Sequence, residues 1–157
     1  MRIILREAKD ADMPLIRKFT VETGWRSMSA SDRKSLNRKT WSKHMVEVFE
    51  HFLRNKGSKI LVALDTNHAF LGYVFVGESN NQMTGQTSGF IYDIYVAKEH
   101  RDKGIGAKLM KQAEKYYRTK GYTRISLMVS THNQPAIRLY EKTGFKNEQI
   151  FMEKELH

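Results

Sequence analysis

The chain has 157 residues, a length that suits a single domain over residues 1–157 with a sizeable core. Apolar residues make up 40% of it and charged residues 28%, as in ordinary soluble globular proteins. It contains no cysteine, which excludes disulfides, thiolate metal sites and a cysteine nucleophile. We expect no bound metal. We find neither an apolar run of the ~18 residues that a membrane span needs nor a secretory signal, so we expect a cytoplasmic protein.

The formal net charge is +10, from 27 lysines and arginines against 17 acidic residues. A basic surface attracts nucleic acid, acidic peptides or phosphorylated cofactors, although it can also serve solubility alone. The basic residues are densest in residues 32–44, where apolar residues recur at helical spacing. This pattern predicts one solvated helix face in that segment.

The first half of the chain predicts a strand, two helices and a hairpin. Residues 3–8 form an apolar strand candidate, and residues 9–24 start with acidic residues and end at glycine, as helices do. Residues 59–65 and 70–77 are apolar, β-rich runs that predict an antiparallel hairpin. Between them and the first helix, a helical apolar stripe consists of Trp41, Met45, Val48, Phe49 and Phe52.

The second half alternates strands and helices. Residues 78–88 are polar and predict a loop, and residues 89–97 and 124–129 predict strands. Residues 104–121 and 133–144 predict helices that end at glycine. Residues 145–156 predict one or two final strands. Together these elements predict a mixed α/β sheet flanked by about four helices.

The stretch HRDKGIGAKLM places two glycines between a predicted strand and a predicted helix. Gly104 and Gly106 can bring several backbone N–H groups close to one anion, because they lack a Cβ and stand at a helix N-terminus. Arg101 and Lys103 flank the turn and can neutralise phosphate oxygens. The pair also suits a purely structural role, in which glycine allows the helix to pack against the sheet.

Two common phosphate motifs do not fit this stretch. A P-loop needs a lysine directly after its second glycine, and no such spacing occurs in the chain. A dinucleotide fingerprint needs a third glycine where Leu109 stands, and the next strand, RISLMV, lacks the acidic residue that binds a ribose.

A second block gives the glycines a context. Arg101-x-x-Gly104-x-Gly106 after IYDIYV resembles the acyl-CoA pyrophosphate loop of the GNAT superfamily of N-acetyltransferases. About thirty residues later, NQPAIRLYEKTGF resembles the N-x-x-A-x-x-x-Y-x-x-x-G-F segment of that family. The resemblance covers essentially the whole chain. It implies a mainly antiparallel central sheet in which two parallel strands, IYDIYV and RISLMV, splay apart.

The resemblance also implies acetyl-CoA as cosubstrate and a set of residues that hold it. The pantetheine arm would pair with the strand after Asp93, and a free N–H there would stabilise the developing oxyanion. The pyrophosphate would lie on the glycine loop, and an asparagine would bond the pantetheine arm. The implied set is Ile94, Tyr95, Val96, Arg101, Asp102, Lys103, Gly104, Ile105, Gly106, Ala107, Asn133 and Tyr140.

By the same resemblance, Tyr140 is the general acid that protonates the departing thiolate. Asp93, the only carboxylate in GFIYDIYVA, is a candidate for the general base or for a ligand of the substrate amine, and a plain ion pair with a basic neighbour is the alternative. It matches the aspartate of the E-D-x-x-V pattern in polyamine acetyltransferases, although Tyr92 replaces the glutamate before it. His132 and Glu78 are alternative bases.

The acceptor is the least determined part of the prediction. The second block also resembles that of N-terminal protein acetyltransferases, although LMVS stands where those carry L-E-V-R. We therefore expect a protein N-terminal or lysine amine as acceptor, with a small amine or polyamine as the alternative. The residues also allow a CoA-binding module without turnover and, from the charge alone, a nucleic-acid binder. Homodimers are common in the family.

Overall fold

The structure is a computed structural model that describes residues 1–156. Five strands form one sheet in the order β1-β2-β3-β4-β5, and α-helices pack against both of its faces. In chain order the elements are β1 (Ile4–Glu7), α1 (Met13–Ser27), α2 (Ala30–Ser35), α3 (Arg38–Leu53), β2 (Lys59–Leu64), β3 (Phe70–Asn80), β4 (Thr87–Val96), α4 (Ile105–Thr119), β5 (Ile125–Leu127) and α5 (Gln134–Lys142).

The sheet confirms the predicted mixed topology. Strands β1 to β4 are antiparallel, and β5 pairs with β4 in parallel. The predicted hairpin forms, but β3 and β4 extend well into the predicted loop of residues 78–88. Their register continues to Asn80 opposite Thr87, and the Thr87 hydroxyl donates to the Asn80 side chain at 2.8 Å.

The sheet separates two apolar cores. Residues that alternate along β3 face opposite sides, so Val74 and Val76 pack towards α4 and α5 while Tyr73 and Phe75 pack towards α1 and α3. A strand covered on both faces must be apolar at nearly every position, which explains the continuous run in β3. Asp93 and the three candidate residues after it lie on the neighbouring strand, β4.

The basic segment of residues 32–44 is not one helix, contrary to the sequence prediction. Helix α2 ends at Ser35 and α3 begins at Arg38. Asn37 interrupts the helix, because its side chain accepts a hydrogen bond from the Thr40 N–H at 3.1 Å and caps α3. The short α2 brings the number of α-helices to five, and the predicted apolar stripe lies on α3.

The predicted final strands are also wrong, since residues 145–156 form no regular secondary structure. Strand β5 is correspondingly short, with three residues. Phe145 packs against the core, but Ile150, Phe151 and Met152 are 84%, 87% and 84% exposed, so the segment after Phe145 buries almost no apolar surface. A strand needs both a hydrogen-bonded neighbour and a buried face, and this segment has neither. Within residues 1–156 no helix is long and apolar enough to cross a membrane.

Candidate active site

A β-bulge in β4 determines where Asp93 points. Asp93 lies opposite Phe75 and Ile91 lies opposite Val76, so Tyr92 is an extra residue on β4. Because side chains normally alternate along a strand, the extra residue places Tyr92 and Asp93 on the same face. That face packs towards α1 and α3, whereas a regular strand would have turned Asp93 towards α4.

The carboxyl group of Asp93 is the inner end of a chain of hydrogen bonds. The Tyr73 hydroxyl donates to Asp93 Oδ2, and the Thr20 and Tyr73 hydroxyls are 2.7 Å apart. The side chain is half-buried, and desolvation raises its pKa to about 6 although Tyr73, Thr20 and the Ile94 N–H oppose the rise. Asp93 therefore changes its charge close to neutral pH.

Tyr140 approaches from the other side of the sheet. It lies on α5, is 9% exposed, and packs against Phe145 with ring centroids 5.9 Å apart. Its hydroxyl has no hydrogen-bond partner within residues 1–156. Burial and the charge of Asp93 both raise the pKa of Tyr140, so the phenol stays protonated at neutral pH. The two groups are within electrostatic reach of each other, and no hydrogen bond joins them.

Strands β4 and β5 part beside these two groups. They pair only from Gly89 to Ile91, although β4 continues to Val96. Beyond Ile91 the β5-facing edge of β4 has no strand neighbour among the described residues. Side chains reach part of it, since the Ile94 N–H bonds the Asp93 carboxylate and the Val96 carbonyl accepts from Arg101. The gap agrees with the predicted splay. Ile94 and Val96 pack towards α4 and α5, while Tyr95 faces α1 and stacks on Phe19.

The loop between β4 and α4 presents a run of unpaired amides. Asp102 and Gly104 have φ angles of 60° and 78°, the left-handed conformation that glycine adopts most easily. Within the described chain, the N–H groups of residues 102–107 have no hydrogen-bond acceptor. A Cβ on Gly104 would meet no atom within 4 Å, so the loop is open to solvent at that position. This loop has the form of an anion site at a helix N-terminus.

The other predicted loop residues have different surroundings. Ile105 is buried, and a Cβ on Gly106 would lie 3.0 Å from the Leu139 side chain, so Gly106 lets α4 pack closely against α5. Arg101 Nε donates to the Val96 carbonyl at 3.0 Å, and Lys103 Nζ donates to the Glu99 carbonyl at 2.9 Å. Both cations therefore stay at the loop, held by backbone oxygens.

The remaining candidate residues, Asn133, His132 and Glu78, have different surroundings. Asn133 caps α5 by accepting from the Ala136 N–H at 3.4 Å, so its amide nitrogen is the end that faces other partners. His132 contacts the Ser27 carbonyl and ties the loop before α5 to the end of α1. Glu78 accepts from the Tyr122 hydroxyl near the start of β4, and the structure does not bring it to Asp93 and Tyr140.

Sequence reasoning missed Tyr73 and Thr20, which contact each other and support Asp93. Tyr73 stands in an apolar strand and Thr20 on a helix, where each is typical of an ordinary core residue. Their relation to Asp93 depends on the bulge at Tyr92, which leaves no mark in the sequence. Only a register that pairs β3 with β4 could have identified them.

Comparison with known proteins identifies the family of this chain. A sequence profile of the Acetyltransferase (GNAT) family matches residues 25–145, which include β4, the amide loop and α5. The chain belongs to this family. The family match covers the two sequence blocks that carry the resemblance, and it confirms the predicted GNAT fold.

Two curated GNAT relatives and one solved structure illustrate the similarity. The streptothricin acetyltransferase of Streptomyces lavendulae is 37% identical over 90 residues, 56% of this chain and 44% of that protein. N-alpha-acetyltransferase 30 of Schizosaccharomyces pombe is 30% identical over 98 residues, 62% of this chain and 64% of that protein. The chain thus spans roughly half to two thirds of these relatives.

The solved structure is that of a provisionally assigned acetyl transferase from Pyrococcus furiosus. It superposes with a TM-score of 0.85 at 26% sequence identity and covers 99% of this chain and 100% of that one. The GNAT fold therefore extends over the described residues, beyond the limits of the family match.

Proposed function

We propose that this GNAT-family chain is an acetyl-CoA-dependent N-acetyltransferase. The observation that carries the proposal is the gap between β4 and β5 beyond Ile91, since Asp93 lies on that part of β4, Tyr140 on α5 is within electrostatic reach of Asp93, and the amide loop follows β4. A base, an acid and an anion site around one opening suit acyl transfer from a phosphorylated donor.

The residues present fit such a donor. Acetyl-CoA supplies an acetyl group as an activated thioester, carried on a pantetheine arm with a pyrophosphate. The amides of residues 102–107 would hold the pyrophosphate, with Arg101 and Lys103 adding positive charge. The open edge of β4 around Ile94 and Val96 would pair with the pantetheine amides, and Asn133 would donate to the same arm from α5.

Two side chains would move the protons. The Asp93 carboxylate takes the proton that the acceptor amine loses when its nitrogen bonds to the acetyl carbon. Tyr140 Oη donates a proton to the sulfur as the carbon–sulfur bond breaks. Burial keeps the phenol protonated until that moment, and the low polarity around it makes an unprotonated thiolate costly.

For the acceptor we propose a protein N-terminal α-amine. The usual pKa of such an amine, ~7.7 to 8.0, leaves roughly a tenth or more of the molecules neutral at pH 7, whereas a lysine amine near ~10.4 is almost all charged. An Asp93 that ionises near pH 6 can therefore serve an α-amine with little further activation. The sequence similarity to N-alpha-acetyltransferase 30 supports the same acceptor class.

The charge of the chain favours acidic residues after that amine. Within residues 1–156, the cations of α2 and the first half of α3 make no ion pair. We call them the basic cluster: Arg33, Lys34, Arg38, Lys39 and Lys43.

The basic cluster lies close to the gap along the chain. Ser27, at the end of α1, contacts His132 beside Asn133, and α2 begins at Ala30. An extended peptide spans ~3.3 to 3.6 Å per residue, so side chains a few residues from the acceptor amine can reach α2. Positive charge there would attract acidic peptides and repel polycationic acceptors.

A small-molecule amine is the second candidate acceptor. The similarity to streptothricin acetyltransferase favours it, because that name describes an enzyme that acetylates a small molecule. In this case the basic cluster would serve solubility, and turnover would not depend on the sequence of a peptide.

A thiol-release assay over peptides, polyamines and small amines tests the proposal. We expect CoA release with peptides that carry a free α-amine, and none with the same peptides after N-terminal blocking. Release only with small amines would overturn the acceptor. No release with any amine, together with no thermal shift from acetyl-CoA, would overturn the function.

Tyr140→Phe separates the chemistry from binding. Loss of a general acid should lower kcat by about 10² or more. The affinity for acetyl-CoA and the melting temperature should stay nearly unchanged, because the hydroxyl has no partner within the described chain. Single-turnover kinetics and calorimetric titration measure the two effects, and an unchanged kcat would remove Tyr140 from the acid role.

A further inference from the structure

We propose that Tyr73 is a positioning residue, which fixes the orientation of the Asp93 carboxyl and favours its ionised form. The inference rests on the proposed function, in which Asp93 is the base. It adds a residue on β3 that never contacts the acceptor and that acts only through Asp93.

The hydrogen-bond chain has one direction. A phenol has a single proton, and that of Tyr73 is donated to Asp93 Oδ2. The contact of 2.7 Å between Tyr73 and Thr20 must therefore have the Thr20 hydroxyl as donor. Thr20 thus fixes the orientation of the Tyr73 hydroxyl, and Tyr73 fixes that of the carboxylate.

The ring of Tyr73 cannot shift to release this contact. Tyr73 is 0% exposed, and its ring packs between Phe70 and Tyr95 at centroid distances of 6.4 and 6.0 Å. Thr20, on α1, is 8% exposed and contacts the Tyr73 hydroxyl. A buried hydroxyl held on two sides is preorganised, so it need not reorient when Asp93 changes its charge.

The surroundings of Asp93 leave Tyr73 as its main polar support. From β3 it faces Tyr73, from α1 Thr20, and from its own strand the Ile94 N–H. From α5 it faces the neutral phenol of Tyr140. No cation of the described chain acts on it, so hydrogen bonds alone oppose the desolvation of the carboxylate.

Tyr73→Phe should therefore change the pH at which Asp93 ionises. A hydrogen bond to a charged group is worth enough to move the pKa by about one unit. The acid limb of kcat/KM should then rise from near pH 6 towards pH 7. For a shift of about one unit, activity falls about fivefold at pH 6 and changes less than twofold at pH 8.

The matched control is Tyr92→Phe. Tyr92 precedes Asp93 on the same face, and its hydroxyl donates to the Glu78 carbonyl at 2.9 Å, so the variant removes a hydroxyl without touching Asp93. Its acid limb should remain in place. Thr20→Val removes the hydroxyl that donates to Tyr73. It should shift the acid limb of kcat/KM in the same direction as Tyr73→Phe but by less, and it replaces Tyr73→Phe as the test if that variant does not fold.

A carboxyl carbon NMR titration of Asp93, assigned with Asp93→Asn, measures the pKa without any turnover. A higher pKa in Tyr73→Phe supports the positioning role even if no amine is acetylated, so failure of the proposed function is seen separately. An Asp93 pKa that is the same in wild type and Tyr73→Phe would overturn the inference. Equal loss of activity at every pH would likewise show that Tyr73 only supports packing.

Discussion

The ionised form of Asp93 is the form that can act as a base, and it lowers the stability of the folded protein. Its folded pKa of about 6 lies above the ordinary aspartate value of 3.8, so the folded state binds the proton more tightly than the unfolded state. The stabilisation from that proton is complete below pH 4 and is lost as the pH rises through 6. Above pH 6 the protein holds a poorly solvated carboxylate, which is where a base is needed.

Asp93→Asn should separate these two effects. At pH 8 the amide replaces a buried charge, and we expect the variant to be more stable than wild type by about 1 to 2 kcal/mol. At pH 4, where Asp93 is protonated, the difference should vanish, while acetyl transfer is lost at both. Thermal unfolding at the two pH values measures this, and a variant less stable at pH 8 would contradict it.

The site residues differ in how visible they are in the sequence. Tyr140 and the glycine loop stand in blocks with fixed spacing, and Asp93 is the only carboxylate in its strand, so sequence alone could propose them. Tyr73 and Thr20 are far apart in the sequence. They contact each other beside Asp93 only because β3 pairs with the bulged strand β4 and α1 packs over both. No local pattern encodes that meeting.

The two glycines that flank α4 offer a test of whether the loop before this helix binds the pyrophosphate. Gly104 precedes α4 with φ 78°, and Gly121 follows it with φ 82°. A Cβ on either glycine would meet no atom within 4 Å. The two positions therefore differ mainly in what lies next to them, which is the row of free amides only at Gly104.

Gly104→Asn and Gly121→Asn should therefore cost similar stability and differ in binding. Asparagine tolerates the left-handed conformation, so both variants should fold with a loss of about 1 kcal/mol or less. Only at Gly104 does the new side chain stand next to the unpaired amides, and there we expect at least tenfold weaker binding of acetyl-CoA. Calorimetric titration decides, and equal affinities in the two variants would argue against the amide loop as the pyrophosphate site.

The secondary structure was predictable where a pattern repeats and not where one residue decides. Strands β2, β3 and β4 and helices α3, α4 and α5 follow from apolar periodicity and terminal glycines. The break before α3 depends on a single cap at Asn37, and the bulge at Tyr92 on one extra residue. In residues 145–156 apolar and charged residues are mixed, as they are in many edge strands. Such a segment becomes a strand only if a neighbouring strand hydrogen-bonds to it, and the sequence of the segment does not show whether one does.

The distribution of charge over the whole molecule belongs to the acceptor question. Arg38 and Lys39 occupy the first turn of α3, where the helix dipole disfavours cations, and no acidic residue offsets them there. Arg38 lies over the ring of Trp25, with the guanidinium 5.4 Å from the ring centroid, so the cluster continues to the end of α1. This placement lowers helix stability and raises the positive potential of this surface, which under the proposed function would attract an acidic peptide.

If the basic cluster selects acidic peptides, kcat/KM for a peptide with several Asp or Glu after the free α-amine should fall severalfold between about 0.05 and 0.5 M salt, because salt screens exposed charges. A neutral peptide of equal length should be nearly insensitive. Lys34→Glu with Lys39→Glu should remove the salt dependence, whereas Lys111→Glu with Lys115→Glu, on the exposed face of α4, should preserve it. Equal salt dependence for both peptides would contradict this prediction.

Salt-dependent binding of generic DNA that acetyl-CoA leaves unchanged would instead assign the basic cluster to nucleic-acid binding.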